Sequence, residues 1–441
     1  MTRRVDEPIK HGGMAGEPVP HPPDAAGLVD RRIFLRRGLQ FGLVSGTAAS
    51  AGAAQAPAAE PTSAGIGRPA GQGFSGYGQP SAHEAQVLRS IGLNMVGDSG
   101  NGAAWTPIDR LEGTLTPNGL HFVRSHHGTP QIDPAQHRLL VHGLVDRPLS
   151  FGVQDLLRYP MQSRQLVIEC GGNSHAGWFE EPVQRSVALT HGLVSCAEWA
   201  GVPLQLLLDE CGVQPGAAWG VAVGADAGAM QMSLPLDKLR ADCLVALYQN
   251  GERLRPENGY PMRLLVPGWK GVLHVKWLAS LQLSAQPAMA RNETARYTEL
   301  LPSGRAQQFS FEMGVKSVIT TPSHGQRLNG PDLYEIRGLA WTGRGAVRQV
   351  DVSADGGAHW VPAALQQPVL PLSWTRFRAA WRWDGRPALL QSRATDDSGQ
   401  VQPTREALVD ERGRRGFYHY NAIVTWEVDA QGQLLHSYGL E

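Results

Sequence analysis

Gln165-Leu-Val-Ile-Glu-Cys170-Gly-Gly-Asn173-Ser-His175 is the stretch on which the reading of this chain turns. A short apolar run with β-branched Val167 and Ile168 stops at a cysteine, and two glycines and an asparagine follow at once. That order predicts a buried strand delivering Cys170 to a tight turn where the backbone can closely approach something. Taken alone it is equally the pattern of a core cysteine at a strand end, since free cysteine is among the most buried residue types.

Two more polar clusters flank this turn in the sequence. Arg124 and His126 follow a short strand-like run, Leu115-Thr-Pro-Asn-Gly-Leu-His-Phe122-Val-Arg-Ser-His126. Arg263, His274 and Lys276 lie in Asn258-Gly-Tyr-Pro-Met-Arg263-Leu-Leu-Val-Pro-Gly268-Trp-Lys-Gly271-Val-Leu-His274-Val-Lys276-Trp277. There the glycines leave backbone N–H groups reachable and cations lie close by, a combination suited to a phosphate or another anion. Any one Arg or Lys is more often a solvated surface residue. Three clusters within one stretch, with one candidate thiolate, are a stronger signal for a site.

The chain has 441 residues, which suits two or three domains. It is 42% apolar and 18% charged with formal net charge zero, so it reads as globular, with no bias toward nucleic acid. Its 52 glycines and 31 prolines favour turns and short strands over long helices. Four cysteines (Cys170, Cys196, Cys211, Cys243) form no C-x-x-C pair, zinc spacing or C-x-x-C-H motif. No covalent haem and no iron–sulfur cluster is therefore expected in this chain.

Asp30-Arg31-Arg32-Ile33-Phe34-Leu35-Arg36 looks like a twin-arginine export motif, followed by a weakly apolar stretch from Gly38 to Ala54 and small residues near Ala54-Gln55-Ala56. Residues 1–56 are expected to be a signal peptide directing the protein to the periplasm, and 57–90 a flexible leader rich in Ala, Gly, Pro and Ser. No other stretch is long and apolar enough to span a bilayer. This route carries proteins already folded, often with a cofactor in place, and so favours a metal or organic cofactor.

From residue 91 to 311 short strands, turns and a few helices alternate. Arg138–Val145 reads as a strand, Ser150–Leu157 as a capped helix start, and Glu198–Glu210 as a strand fragment running into a helix. The pattern predicts an α+β domain of mostly β character. From 312 to 441 the runs Asp332–Trp341, Val347–Ser353, Ala358–Val361, Trp374–Trp383 and Ala388–Ala394 alternate as strands, with Ser353-Ala-Asp-Gly-Gly357 as a hairpin turn. An immunoglobulin-like β-sandwich is predicted, without the Cys…Trp…Cys signature of antibody domains.

From about residue 105 onward the chain resembles the molybdopterin oxidoreductases of the sulfite oxidase type. The carriers are Phe122-Val-Arg-Ser-His126, Glu169-Cys-Gly-Gly-Asn173, Ala197-Glu-Trp-Ala-Gly201, Asn258-Gly-Tyr-Pro-Met-Arg263, Val266-Pro-Gly268 and His274-Val-Lys-Trp277. The export motif and the segments Tyr297–Phe309 and Lys316–Thr320 look most like one branch, the molybdenum subunit of bacterial sulfane dehydrogenase. The resemblance implies one molybdenum held by one pyranopterin and one cysteine, with Cys170 matching the ligand. His126, Asp226, Arg263, His274, Val275 and Lys276 match positions that bind the pterin and its phosphate. Arg124, Tyr297 and Arg415 match the anionic-substrate pocket, and Arg185 falls where the family usually has Lys.

Several positions depart from the family pattern. Ser125 replaces a common Asn, Asn258 replaces a pterin-binding His, and Leu189 stands where sulfite oxidases place a Trp. His175 stands where they place a second substrate Arg, so the pocket loses a permanent charge, histidine being largely neutral above its ordinary pKa near 6.5. A sulfur chain presented on a carrier protein is therefore the expected substrate, with free sulfite secondary. The resemblance further implies oxygen transfer to sulfur, electrons leaving to a separate cytochrome c (a dihaem subunit), a homodimer formed through the sandwich, and a possible heterotetramer with that cytochrome. Two rivals are weighed against it. An exported methionine sulfoxide reductase would run the transfer backwards but usually lacks the sandwich. A metal-free exported binding or scaffold protein would keep the fold alone.

Overall fold

The computed structural model describes residues 28–29, 76–93, 100–414 and 416–439. The expected twin-arginine motif, its apolar stretch and most of the leader lie outside the described residues. Of the expected signal only Leu28–Val29 are described, as a two-residue strand against Trp381 and Ala380.

The strand expected before Cys170 runs from Gln162 to Glu169. It pairs antiparallel along its whole length with Val194–Pro203, Gln162 opposite Gly201 and Glu169 opposite Val194. Leu244–Gln249 joins on the far side of Val194–Pro203, followed by Glu252–Arg253, with Arg263–Leu265 also paired to Leu244–Gln249. A second five-stranded sheet carries Gln231–Pro235, Trp219–Gly224, Leu278–Ser284, Arg138–Gly143 and Leu149–Gly152 in that order. Its Leu278–Ser284 and Arg138–Gly143 are parallel, the other neighbours antiparallel. A three-stranded sheet, Ser90–Leu93, Gly102–Trp105 and Val123–Ser125, brings Arg124 to the same side.

The C-terminal part is a sandwich. One sheet holds Thr375–Trp383, Asp332–Trp341 and Lys316–Thr321, with Ala364–Leu365 on its edge; the other holds Val361–Pro362, Val347–Ser353, Ala388–Asp396, Thr425–Val428 and Leu434–Ser437. Inward-facing Val318, Trp341, Val350, Phe377, Leu390 and Trp426 are buried in one core. The fold is thus α+β and mostly β.

Strand Gln162–Glu169 is the seam between the two parts. Successive side chains on a strand point to opposite faces. Leu166 and Ile168 pack with Trp199, Leu244 and Leu265, and Cys170 packs against the same cluster. Val167 enters the sandwich core instead, and its N–H donates to the carbonyl of Leu372 at 2.9 Å. Each buried aliphatic side chain of this kind contributes about 1.5–3 kcal/mol, so packing holds the seam from both sides.

Helices are few and short. Leu204–Cys211 buries Leu204, Leu207, Leu208 and Cys211, the one-face spacing of a helix, and ends at Gly212 with φ 70°. The expected helix start at Ser150 is instead the strand Leu149–Gly152, which pairs with Arg138–Val141. Only the turn Val153–Leu156 is helical, with Asp155 accepting the Gly152 N–H at 2.9 Å. Pairing to the neighbouring strand outweighed the local helix signal. The strand expected at Ala358 begins at Val361, because Asp355 holds the preceding turn by accepting from the His359 backbone (2.9 Å) and ring (2.7 Å). Among the described residues no helix is long and apolar enough to cross a membrane.

Candidate active site

A cleft enclosing about 90 Å³ opens where the ends of these sheets meet. Arg124, His126, Cys170, Asp226, Arg263, His274, Val275, Lys276 and Tyr297 all line it. Residues from five separate stretches of sequence are therefore brought to one concave surface.

Cys170 sits one residue beyond the strand. Its N–H donates to Leu193 (2.9 Å), and its carbonyl accepts from Asn173 (2.9 Å), closing the turn. Glycine at 271 lets the opposite wall come close, since a Cβ there would lie 2.9 Å from the Glu169 carbonyl oxygen and 3.3 Å from the Cys170 Cα. Burial pushes the Cys170 thiol pKa up, while the Gly172 backbone N–H and the Arg124 charge pull it down. The other three cysteines are buried, and all four are free.

The cleft wall opposite is cationic and unbalanced. Arg263 is buried, donates to the carbonyls of Asn258 (3.0 Å) and His274 (3.2 Å), lies 5.1 Å from the Trp199 ring centre, and has no partner at Nε. Lys276 donates to the carbonyls of Arg124 (3.3 Å) and Glu257 (3.0 Å) and lies over the Trp277 ring. Burial lowers Arg263 to about 9; burial, then Arg263, lowers Lys276 to about 7. Among the described residues neither forms an ion pair. The Asp226 and Glu257 carboxylates act on Lys276 without pairing with it, and two buried cations hydrogen-bonded to carbonyls alone are costly unless an anion joins them, so the wall suits one.

Arg124 donates to Asn101 Oδ1 (3.0 Å), to the Gly102 carbonyl (2.9 Å) and to the Ser125 carbonyl. Tyr297 follows the π-helical turn Asn292–Arg296 and stacks on Tyr418, ring centres 4.4 Å apart. Both rings stand over Gly171, where a Cβ would lie 3.3 Å from Tyr297 and 3.6 Å from Tyr418. Burial, then Cys170, raises the Tyr297 pKa far above its ordinary value, so its phenol remains a hydrogen-bond donor. Burial lowers His126 to about 4, with Arg124 adding to it, and the ring is neutral. Asp226 caps the turn between Trp219–Gly224 and Gln231–Pro235 by accepting the Met230 N–H at 3.0 Å.

His274 lines the cleft, yet its ring is already engaged: Nδ1 accepts from Val266 (3.3 Å) and Nε2 donates to the Trp269 carbonyl (3.0 Å). Its backbone is engaged as well, the N–H donating to the Gly271 carbonyl at 3.2 Å and the carbonyl accepting from Arg263. His175 does not line the cleft. It begins the turn His175–Trp178, and its ring packs against Phe417 (5.2 Å) and Phe179 (5.6 Å), where burial lowers its pKa. Phe417 in turn borders Gly172. Arg185 is exposed in the loop before the helix Val187–His191, outside the cleft lining. Arg415 lies outside the described residues.

His121 was missed by sequence reasoning. It lines the cleft, stacks at right angles on Trp199, bonds the Phe122 carbonyl through Nδ1 (2.9 Å), and has no partner at Nε2. Burial lowers it to about 3, so the neutral ring keeps a lone pair beside the cleft. A histidine directly before Phe122-Val-Arg was the available signal.

The profile of the oxidoreductase molybdopterin binding domain matches residues 126–292, and that of the Mo-co oxidoreductase dimerisation domain matches 307–426. The crystal structure of the sulfane dehydrogenase SoxCD from Paracoccus pantotrophus is similar over 83% of this chain and 95% of that one, at 41% identity and TM-score 0.81. The chain belongs to the sulfite-oxidase-type molybdopterin oxidoreductases. Mitochondrial sulfite oxidase of Homo sapiens is 31% identical over 334 residues, and that of Mus musculus 30% over 328, each covering 68% of this chain and 59% of the relative. NADH nitrate reductase of Solanum lycopersicum is 29% identical over 343 residues, 37% of its length. The chain thus spans 59% of the length of the two sulfite oxidases and 37% of that of the nitrate reductase.

The family implies a molybdenum pyranopterin, and this cleft fits one. Its unbalanced cations suit a phosphate, and Cys170 is a soft donor suited to such a metal. Among the described residues no three His, Cys, Asp or Glu side chains cluster to hold a bare ion. A metal at Cys170 would need its other ligands from an organic group.

Proposed function

We propose that this sulfite-oxidase-type protein is the molybdenum subunit of a periplasmic sulfur dehydrogenase, exported by the twin-arginine route, that oxidises sulfane sulfur on a carrier protein, or sulfite, and passes electrons to a cytochrome c. The observation that carries this reading is the cleft that Cys170 shares with Arg263 and Lys276, two buried cations that form no ion pair among the described residues. When bound, a molybdenum pyranopterin supplies two-electron oxygen-atom transfer to sulfur.

The chain's own residues would act by binding and orientation. Cys170 would hold the metal; Arg263 and Lys276 would neutralise the pterin phosphate; Asp226 and His126 would fix the pterin, with His274 and Val275 shaping the wall it lies against. Arg124 would attract an anionic sulfur centre, and the protonated Tyr297 would donate a hydrogen bond to it. Fixed dipoles of this kind, placed where water is excluded, do the protein's share of the chemistry.

Carrier-bound sulfane is favoured over free sulfite by the surroundings of His175. The neutral ring is packed between Phe179 and Phe417, both about half exposed, so this flank of Cys170 is aromatic where a sulfite dianion would need a second cation. The sandwich supports a homodimer, and the likeness to SoxCD supports a dihaem cytochrome partner in a heterotetramer. The test is purification from the native periplasm with molybdenum and haem quantitation, then cytochrome c reduction with sulfite and with carrier-bound sulfane. About one molybdenum per chain and faster turnover of the carrier-bound sulfane are expected. A molybdenum-free protein, or sulfite turnover with a low KM and no gain from the carrier, contradicts the reading.

A further inference from the structure

Glu169 and Cys170 are adjacent in sequence and point to opposite sides of the seam. Behind the cleft, Glu169 Oε1 accepts from Lys316 Nζ at 2.7 Å, with both side chains almost fully buried. The same carboxylate accepts from Asn173 Nδ2 (2.9 Å) through Oε1 and from Trp341 Nε1 (2.9 Å) through Oε2. Lys316 Nζ also donates to Ser174 Oγ (2.7 Å) and lies over the Trp341 ring. Ser174 Oγ meets His191 Nδ1 at 2.6 Å.

The partners divide by domain. Lys316 and Trp341 come from the sandwich; Glu169, Asn173, Ser174 and His191 come from the strand and loops that shape Cys170. Ser174 stands at φ 62°, a left-handed conformation that a non-glycine residue keeps only when its surroundings hold it there. Lys316 and His191 supply that hold. Asn173 completes the turn by accepting the Leu193 N–H at 3.0 Å, while the Leu193 carbonyl takes the Cys170 N–H.

We propose that Lys316 is a positioning residue: through Glu169 and Ser174 it fixes the turn Cys170–Ser174 from behind, so that the sulfur's placement depends on how the sandwich docks. A hydrophobic pair of the same volume would stabilise the interior at least as well. A buried ion pair here instead fixes direction, since its hydrogen bonds hold only for one orientation of the turn. Lys316 and Trp341 touch neither cleft nor ligand and act through their neighbours.

The inference rests on the assignment of Cys170 as metal ligand. The test compares the cofactor-loaded protein with the double variant Glu169→Gln/Lys316→Met, which leaves no unpaired buried charge, and with Trp341→Phe, which loses one N–H donor. Lys316→Arg serves as the conservative replacement. Molybdenum content, melting temperature, the Mo(V) paramagnetic resonance spectrum, and kcat and KM are measured. Both test variants should fold and load metal, shift the Mo(V) spectrum and lose roughly 10-fold to 100-fold in kcat at little-changed KM. Lys316→Arg should keep most of the parent's spectrum and kcat. A folded, loaded double variant or Trp341→Phe variant with unaltered spectrum and kcat overturns the proposal. So does a double variant that cannot fold while Trp341→Phe is unaltered, since the network is then only structural. A parent protein that binds no molybdenum overturns the assignment of Cys170 instead.

Discussion

Arg263 and Lys276 stand as like charges in one buried wall, and after burial itself the Arg263 guanidinium is the largest influence holding Lys276 down near 7. In cofactor-free protein the unfolded chain keeps the Lys276 proton up to its ordinary value near 10.5, while the folded chain releases it near 7. The unfolded state therefore binds more protons between those values, and stability rises with pH across that window by up to ~1.4 kcal/mol per unit. Melts of the cofactor-free protein from pH 7 to pH 10 should climb, and Lys276→Met should lessen the rise, the remainder coming from Lys270, which burial also holds near 7. A flat profile in the parent chain contradicts this.

Arg263→Met separates stability from cofactor binding. Removing a buried guanidinium with an unpartnered Nε should leave the cofactor-free fold as stable or more so. It should also cut cofactor retention by at least about tenfold. Differential melting with and without molybdenum loading reads both effects.

Cys170→Ser keeps the volume of the turn and its backbone bonds. The variant should fold with a melting temperature close to the parent's when both are cofactor-free, yet lose activity by more than the roughly 100-fold that loss of an outer partner costs. Substantial retained turnover removes Cys170 from the role.

Tyr297→Phe leaves the stack on Tyr418 intact and deletes only the phenol donor. A loss of about 10²–10³-fold in kcat, of the size seen for one preorganised donor, is expected with unchanged metal content. Steady-state kinetics on loaded enzyme tests this.

His175→Arg places a permanent charge between Phe179 and Phe417. It should lower KM for sulfite and raise it for carrier-bound sulfane, a reversal that a merely damaged pocket would not give. Competition between the two substrates measures the switch.

The strands were legible where alternation is strong. Asp332–Trp341 and Val347–Ser353 form over the residues the pattern indicated, and Thr375–Trp383 and Ala388–Asp396 within two residues of it. Thr425–Val428 and Leu434–Ser437 went unread, being four-residue strands with too few positions to show a period. At the site, the glycines and cations around Cys170 and Arg263 announced themselves by local composition. Partnership across the chain did not. Lys316 bonds Glu169 over a separation of 147 residues, and nothing near either residue names the other. Its one trace was a lysine heading the apolar run Ser317-Val-Ile-Thr320. That both His274 ring nitrogens are taken by backbone was equally invisible until the chain was folded.

The two-faced strand Gln162–Glu169 also sets an order of events during synthesis. Its cleft side can collapse against Trp199 and Leu244 once about 265 residues have emerged, when Arg263–Leu265 is present to pair. Its other side has no lysine to meet until residue 316, and no Trp341 until later still. The turn that presents Cys170 can therefore take its full set of partners only once residue 341 has left the ribosome, long after the strand that carries it.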